Sequence, residues 1–358
     1  MVEIIAEAGV NHNGSEETAL DLVDVAKSVG ADHVKFQIFE ANRLASIDAR
    51  QANYQIKATS GPKKNQREML KALELDRRSF LKVSDRCRSV GIQFLASAFD
   101  QRSLQFLLQE LGATTIKIAS GEISNAPFLL AHAMSGARLI LSTGMSTVEE
   151  IRDALSVLAF GMIKGTSDAP NTEAFAEAYA SEEGQLALRQ KVTLLHCTSE
   201  YPAPVKDVNL LAMQALREKF GLRVGYSDHT EGAAVSIAAT ALGAEVIEKH
   251  FTLDRSMDGP DHKASVDPVD FKEFVSSIRV AEIALGDGVK APKPSELHNK
   301  ALVRKSLYAA RSIAAGKRFD EDDLTAMRPA TGLSPFEYWR LLNSRASKDY
   351  EAGEMISE

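Results

Sequence analysis

The chain has 358 residues, 44% hydrophobic, 25% charged and 6% aromatic, apolar content enough for one large core and a smaller one, which excludes disorder as the dominant state. Lys and Arg total 42 against 49 Asp and Glu, a net charge of -7 that argues against a broad polyanion-binding surface and so against nucleic acid as a partner. The two cysteines, Cys87 and Cys197, cannot build a disulfide framework or a spaced zinc cluster, and they fit a reducing compartment.

The N-terminus runs straight into a strand-like segment without the basic start and apolar stretch of a secretory leader. No apolar run approaches the roughly 20 residues of a membrane helix. A cytoplasmic protein with no membrane partner is expected. Short β-rich runs at 2–6, 33–36, 93–96, 115–118, 138–141, 192–196, 223–226 and 246–249 then alternate with segments of helical period. The helical segments are 18–29, 78–90, 103–111, 126–135, 148–160, 209–220, 233–242 and 268–285. Eight βα units over residues 1–285 predict an α/β fold closed as a (β/α)8 TIM barrel, the alternative being an open doubly wound sheet. Helix-ending glycines recur before strands at Gly30-Ala31, Gly112-Ala113 and Gly243-Ala244.

Two stretches exceed ordinary loop length. Residues 40–66 follow the second strand and are expected over the C-terminal face as a lid; residues 161–190 follow a helix and read as decoration nearer the opposite face. A Gly/Pro-rich polar linker, 286–303, predicts a domain boundary, and 304–358 read as a small, strand-poor β module.

A barrel carries its chemistry at the C-terminal ends of its strands, and here those ends are polar. In strand order they hold Glu7 with Asn11-His12-Asn13-Gly14, Lys35 and Gln37, Ser97, Lys117 with Ser120 and Glu122, Ser142 to Gly144, His196 to Tyr201, Ser227-Asp228-His229, and Glu248-Lys249-His250. His229 and His250 follow consecutive strands, so two neutral imidazoles can converge on one cation, with His12 or His196 as an alternative partner. Lys35 and Lys117, with Ser120, Ser142 and Ser227, make a cradle for a small polyanion. For either lysine, salt-bridging between strands and a Schiff-base role stay open. Glu7 can accept a proton or pair with a lysine.

Taken together the motifs are specific. Ala6-Glu-Ala-Gly-Val-Asn-His-Asn-Gly14, Val34-Lys-Phe-Gln37, Lys117-Ile-Ala-Ser-Gly-Glu122, Leu141-Ser-Thr-Gly-Met145, Leu195-His-Cys-Thr198, Gly225-Tyr-Ser-Asp-His-Thr230, Glu248-Lys-His-Phe251 and Gly259-Pro-Asp261 resemble the sialic acid synthase family over nearly the whole chain. The C-terminal segment, with Met327-Arg-Pro329 and Thr331-Gly332, is similar to that family's antifreeze-like (SAF) module.

The resemblance implies condensation of phosphoenolpyruvate with an N-acylated hexosamine, N-acetylmannosamine first and a 2,4-diacetamido-trideoxyhexose, giving legionaminate, next. It implies Lys35, Ser97, Lys117, Ser120, Ser142 and Ser227 at phosphoenolpyruvate, and His229 and His250 on a divalent metal, Mn²⁺ or Mg²⁺. Glu7, Gln37, Tyr201, Glu248 and Asp261 would lie near the sugar and water. It further implies a domain-swapped homodimer in which Arg328 reaches the partner's site. Competing classes are a Schiff-base aldolase and a non-catalytic carbohydrate-binding protein.

Overall fold

Eight parallel strands close on themselves in sequence order in the computed structural model, which describes residues 1–52, 55–56, 65–165 and 167–357. They are β1 (Glu3–Gly9), β2 (His33–Ile38), β3 (Gln93–Ala98), β4 (Thr115–Ile118), β5 (Arg138–Ser142), β6 (Val192–Cys197), β7 (Arg223–Asp228) and β8 (Val246–His250), with β8 pairing back onto β1. The TIM barrel read from the βα count is therefore the observed fold, and the open sheet is not. Several crossovers begin at a side chain that caps a helix. Asp76 accepts the Ser79 N–H, Asp100 those of Arg102 and Ser103, and Thr147 closes a capping box with Glu150. Gly30, Gly112 and Gly243 turn the chain back at φ +87°, +65° and +85°, a region that only glycine enters without strain.

Side chains alternate along each strand, and that period sorts the barrel into two cores. Outward residues such as Ile4, Val34, Phe36, Ile116, Leu141, Val224 and Ile247 pack under the helices. Inward, Ile5, Leu95, Ile140, Leu195 and Val246 form one apolar plug. Two residues farther along the strands the inward positions become polar, so the plug is the floor of whatever opens at the C-terminal face.

The long stretches carry helices of their own. Residues 161–190 are not irregular: they hold helices Thr172–Ala180 and Glu182–Lys191, capped by Asn171 and Ser181, with Phe175 set edge-on to Phe160 of helix Val148–Ile163. Their sequence hides this because alanine and glutamate leave a weak apolar stripe. The expected lid at 40–66 lies partly outside the described residues; its start is a short helix, Ala41–Leu44. That turn packs with Val10, Phe39, Met69, Leu70 and Leu73, the last three from helix Gln66–Leu73.

The chain divides into two compact units, Met1–Gly286 and Asp287–Glu358. In the second, part of the stretch read as linker is a helix, Pro294–Val303, started by a proline in its first turn. Beyond it, β9 (Ser306–Ala309) and β10 (Leu324–Met327) pair antiparallel, and isolated bridges join 308 to 355, 313 to 350 and 318 to 345. Its core holds Leu307, Ile313, Phe319, Leu324, Tyr350 and Ile356. The strand-poor β reading of this module holds. Among the described residues no helix is long and apolar enough to cross a membrane.

Candidate active site

Above the apolar plug, the inward positions of the strands bring Glu7, Lys35, Ser97, Lys117, Ser142, Cys197, Ser227 and Glu248 into one layer, every one of them buried. Lys35 Nζ lies 3.2 Å from Glu7 Oε2 and 3.0 Å from Glu248 Oε2, and Lys117 Nζ lies 3.5 Å from Glu248 Oε1. Ser227 donates to Glu248 Oε1 at 2.8 Å, and the Gln37 amide donates to Glu7 Oε1 at 3.3 Å. Both lysines are thus paired with carboxylates, as the salt-bridge alternative anticipates.

The two carboxylates are driven apart. Burial opposes charge on both; at Glu248 the ammonium groups of Lys117 and Lys35 and the Ser227 hydroxyl outweigh it, so that carboxylate stays ionised well below the usual range. At Glu7 burial wins, helped by the neighbouring Glu248 charge, and the pKa is pushed up to about 7. Burial likewise works against Lys35, yet Glu248 and Glu7 hold its pKa above normal, whereas burial prevails at Lys117 and lowers it. A carboxyl group near neutrality beside a fixed carboxylate is the pairing that acid–base chemistry uses.

Two hydroxyls in this layer, Ser97 Oγ and Ser142 Oγ, are buried without a hydrogen-bond partner among the described residues. Ser120 is fixed instead: its Oγ accepts the Gly144 N–H at 3.0 Å and lies 3.3 Å from Cys197 Sγ. A side chain at Gly144 would put its Cβ 2.3 Å from Ser199 Oγ and 2.9 Å from Ser120 Oγ, so a larger residue here would have to displace those hydroxyls. Cys197, a buried free thiol, belongs to the layer; period-two alternation along β6 is the signal that places it there.

At the rim, His229 and His250 have ring centroids 5.6 Å apart, with the Tyr201 ring 4.1 Å from the first and 5.6 Å from the second. His229 Nδ1 donates to the Thr198 carbonyl at 2.7 Å, which leaves Nε2 as a lone-pair donor. His250 Nδ1 is buried and unpartnered among the described residues. Burial holds both rings neutral, His229 down to about 4 and His250 well below its ordinary value. Neutral imidazoles with unused ring nitrogens fit a divalent cation. No group of three or more His, Cys, Asp or Glu side chains converges on one point among the described residues, so other ligands would be water or substrate.

Other readings are resolved by direction. His196 faces out of the barrel and donates from Nε2 to the Val208 carbonyl at 2.6 Å. His12 is buried beside Phe36 and Phe80 outside the strands, its Nδ1 accepting the Gly14 N–H. Neither joins the imidazole pair. Asp228 and Lys249, from the same triplets as His229 and His250, also turn outward and pair with each other at 3.0 Å. Asp261 is buried on the loop after β8, where desolvation raises its carboxyl to about 6. Arg328 is exposed just past β10 in the second unit, and its guanidinium makes no hydrogen bond or ion pair within that unit among the described residues.

A family model described as the NeuB family matches residues 22–290, and one for the SAF domain matches 304–358. The chain belongs to the NeuB family. A relative from Campylobacter jejuni named N,N'-diacetyllegionaminic acid synthase is 45% identical, covering 99% of this chain and 98% of its own. One of the same name from Legionella pneumophila is 44% identical over 98% of this chain and 92% of its own. The crystal structure of an N-acetylneuraminic acid synthetase from Leptospira borgpetersenii, in complex with citrate, superposes with a TM-score of 0.65 at 32% identity, covering 83% of this chain and 90% of that one. This NeuB chain is accordingly an enzyme, and a non-catalytic carbohydrate-binding protein is not needed to explain its C-terminal module.

Proposed function

We propose that this enzyme condenses phosphoenolpyruvate with an N-acylated amino sugar to give a nine-carbon 2-keto acid and phosphate, and that its acceptor is a 2,4-diacetamido-trideoxyhexose. The observation that carries the reaction is the buried layer itself, in which two ammonium groups and two unpartnered serine hydroxyls lie beneath a pair of neutral imidazoles. The acceptor rests on similarity: the relatives at 44–45% identity are named for diacetyllegionaminic acid, and the neuraminic acid synthetase stands at 32%. N-acetylmannosamine is the second reading.

Lys35 and Lys117 neutralise the phosphate and carboxylate of phosphoenolpyruvate, while Ser97, Ser120, Ser142 and Ser227 fix their oxygens. A divalent cation on His229 and His250, Mn²⁺ or Mg²⁺, supplies polarisation of the acceptor's aldehyde when bound. The enol carbon C3 forms the new bond to the aldehyde carbon, the aldehyde oxygen takes up a proton, and water adds at C2. Glu7, near neutrality and held by Gln37, receives the proton from that water. Glu7 returns that proton to the new alkoxide, and phosphate leaves with the bridging oxygen as the C2 hydroxyl becomes the ketone and gives its proton to the departing phosphate. Tyr201, Glu248 and Asp261 line the acceptor side in this reading.

In this reading the chain forms a domain-swapped homodimer, and the exposed Arg328 guanidinium donates to the acyl carbonyl of the sugar in the partner's site. Two free, buried cysteines suit a reducing cytoplasm.

The test is phosphate release from phosphoenolpyruvate across N-acetylmannosamine and its 2,4-diacetamido-trideoxy relatives. Turnover with the diacetamido sugar at a kcat/KM at least tenfold above the others supports the acceptor; preference for N-acetylmannosamine reverses it. Borohydride trapping with pyruvate separates the aldolase alternative, since a reduced adduct on Lys35 or Lys117 would sink the metal-assisted route.

A further inference from the structure

The Asn11-His12-Asn13-Gly14 turn takes no part in the chemistry described above, yet its first residue is among the most buried polar groups of the barrel, 1% exposed. Both hydrogens of its amide are used. One goes to the Phe251 carbonyl at 2.8 Å and the other to Ser265 Oγ at 2.9 Å, more than two hundred residues away in sequence. Ser265 Oγ in turn donates to the main-chain carbonyl of Asp261 at 2.7 Å. The main chain around this amide belongs to the rim of the site. Phe251 N–H bonds the Glu7 carbonyl, Val266 N–H bonds the His250 carbonyl, and Thr252 N–H bonds the Val266 carbonyl, each at 3.0 Å.

One side chain on the β1 turn therefore ties together the residue after His250 and the loop that carries Asp261, on the strand that presents Glu7. Asn13 adds a second tie, its Nδ2 donating to the Asp258 carbonyl at 2.9 Å and its Oδ1 accepting from His262 Nε2 at 3.2 Å. A Cβ on Gly259 would lie 2.9 Å from Asn13 Oδ1 as well as 2.6 Å from the His262 ring, so the 251–266 loop approaches this turn closely at that glycine.

We infer that Asn11 is a positioning residue for the acceptor side of the site, acting through the 251–266 loop on His250 and Asp261 and leaving the phosphoenolpyruvate side untouched. This rests on the proposed reading of those two residues. An amide is required: aspartate has the same shape but neither donor, and it would set a charge against the Phe251 carbonyl. Outer contacts of this kind change metal affinity or activity by about 10–100-fold when lost.

The test compares the full-length wild type with Asn11→Asp and Ser265→Ala. In Asn11→Asp the amide hydrogens of Phe251 and Val266 should exchange at least about tenfold faster, Mn²⁺ should bind about tenfold more weakly, and the KM of the acceptor should rise with that of phosphoenolpyruvate unchanged. In Ser265→Ala, which keeps the Asn11–Phe251 bond, the acceptor KM should rise with Mn²⁺ affinity retained. Unchanged exchange in the loop, or equal rises in both KM values, overturns the inference. A wild type that releases no phosphate refutes the proposed reaction, while exchange still decides whether Asn11 holds the loop. Should Asn11→Asp fail to fold, Ser265→Ala decides by the same KM split.

Discussion

Two buried ionic clusters sit within a few residues of each other on β7 and β8, one inside the barrel and one outside, and they are built differently. Outside, Asp228 Oδ1 accepts from Thr230 N and Oγ1 at 2.8 and 2.7 Å, and Oδ2 accepts from Ser236 Oγ at 2.6 Å and from Lys249 Nζ at 3.0 Å. Lys249 also donates to the carbonyls of Thr230 and Gly232 and lies 5.7 Å from the centroid of the Phe274 ring. Every strong hydrogen-bonding direction there is met by protein. Inside, Glu7, Lys35, Lys117 and Glu248 pair with one another, but hydroxyls and a ring nitrogen beside them have no partner among the described residues. A satisfied cluster holds a fold together, whereas a cluster with unmet donors beside charged groups is preorganised for something that arrives later.

The sharpest way to break that contrast is to remove what the inner cluster is built to receive. Chelation should abolish turnover, and His229→Ala or His250→Ala should weaken Mn²⁺ binding with the far-ultraviolet dichroism of the barrel unchanged. Full turnover by metal-stripped protein would place the inner cluster in the same structural category as the outer one.

Next in size is Lys117→Met. Glu248 keeps Lys35 and Ser227, so the fold tolerates the loss, but an ammonium is removed from the anion side of the site. A fall in kcat/KM of about 10³-fold is expected, with a melting temperature within a few degrees of wild type. The mirror experiment is Lys249→Met. It strands a buried carboxylate, and urea unfolding should show a loss of about 3–5 kcal/mol while the kcat of the folded enzyme stays within twofold. If the two variants exchange these phenotypes, the inside–outside distinction is wrong.

The smallest effect sharpens the comparison in the second unit. Asp323 is fully buried and accepts from Lys317, Arg311 and the Asp320 N–H. Burial opposes its charge, but these donors win and depress its pKa to about 2 from an ordinary 3.8. Its contribution to stability is therefore complete above about pH 4 and lost as the pH falls through about 2. Because Lys317 and Arg311 are partly exposed, solvent screens the pair, and Asp323→Asn should cost about 1–2 kcal/mol at neutral pH. Fluorescence of Trp339, the single tryptophan, reports unfolding of this unit, and the acid dependence should flatten in the variant.

How much of this was legible beforehand divides along a physical line. Strand and helix periods, capping side chains and glycine stops are local, so the eight βα units and their order could be read directly. The eight candidate runs fall on the eight observed strands, most of which extend one or two residues beyond them. The helices at 172–180 and 182–191 were not legible because their hydrophobic stripe is too thin to set a period, and their stability comes from docking on a neighbour.

For the site, residue type and position at the strand ends already assembled Glu7, Lys35, Ser97, Lys117, Ser142, Ser227 and Glu248, since a barrel projects those ends to one face. What sequence alone did not decide was direction and partner. In Ser227-Asp228-His229 and Glu248-Lys249-His250 only closure of the barrel sends the middle residues outward to each other and the flanking residues toward the site. The pairing of Asn11 with Phe251 and Ser265 joins the two ends of the barrel sequence, and it exists only because β8 closes on β1. Hydrogen bonds reach about 3 Å, and only the tertiary fold can bring groups 240 residues apart to that distance.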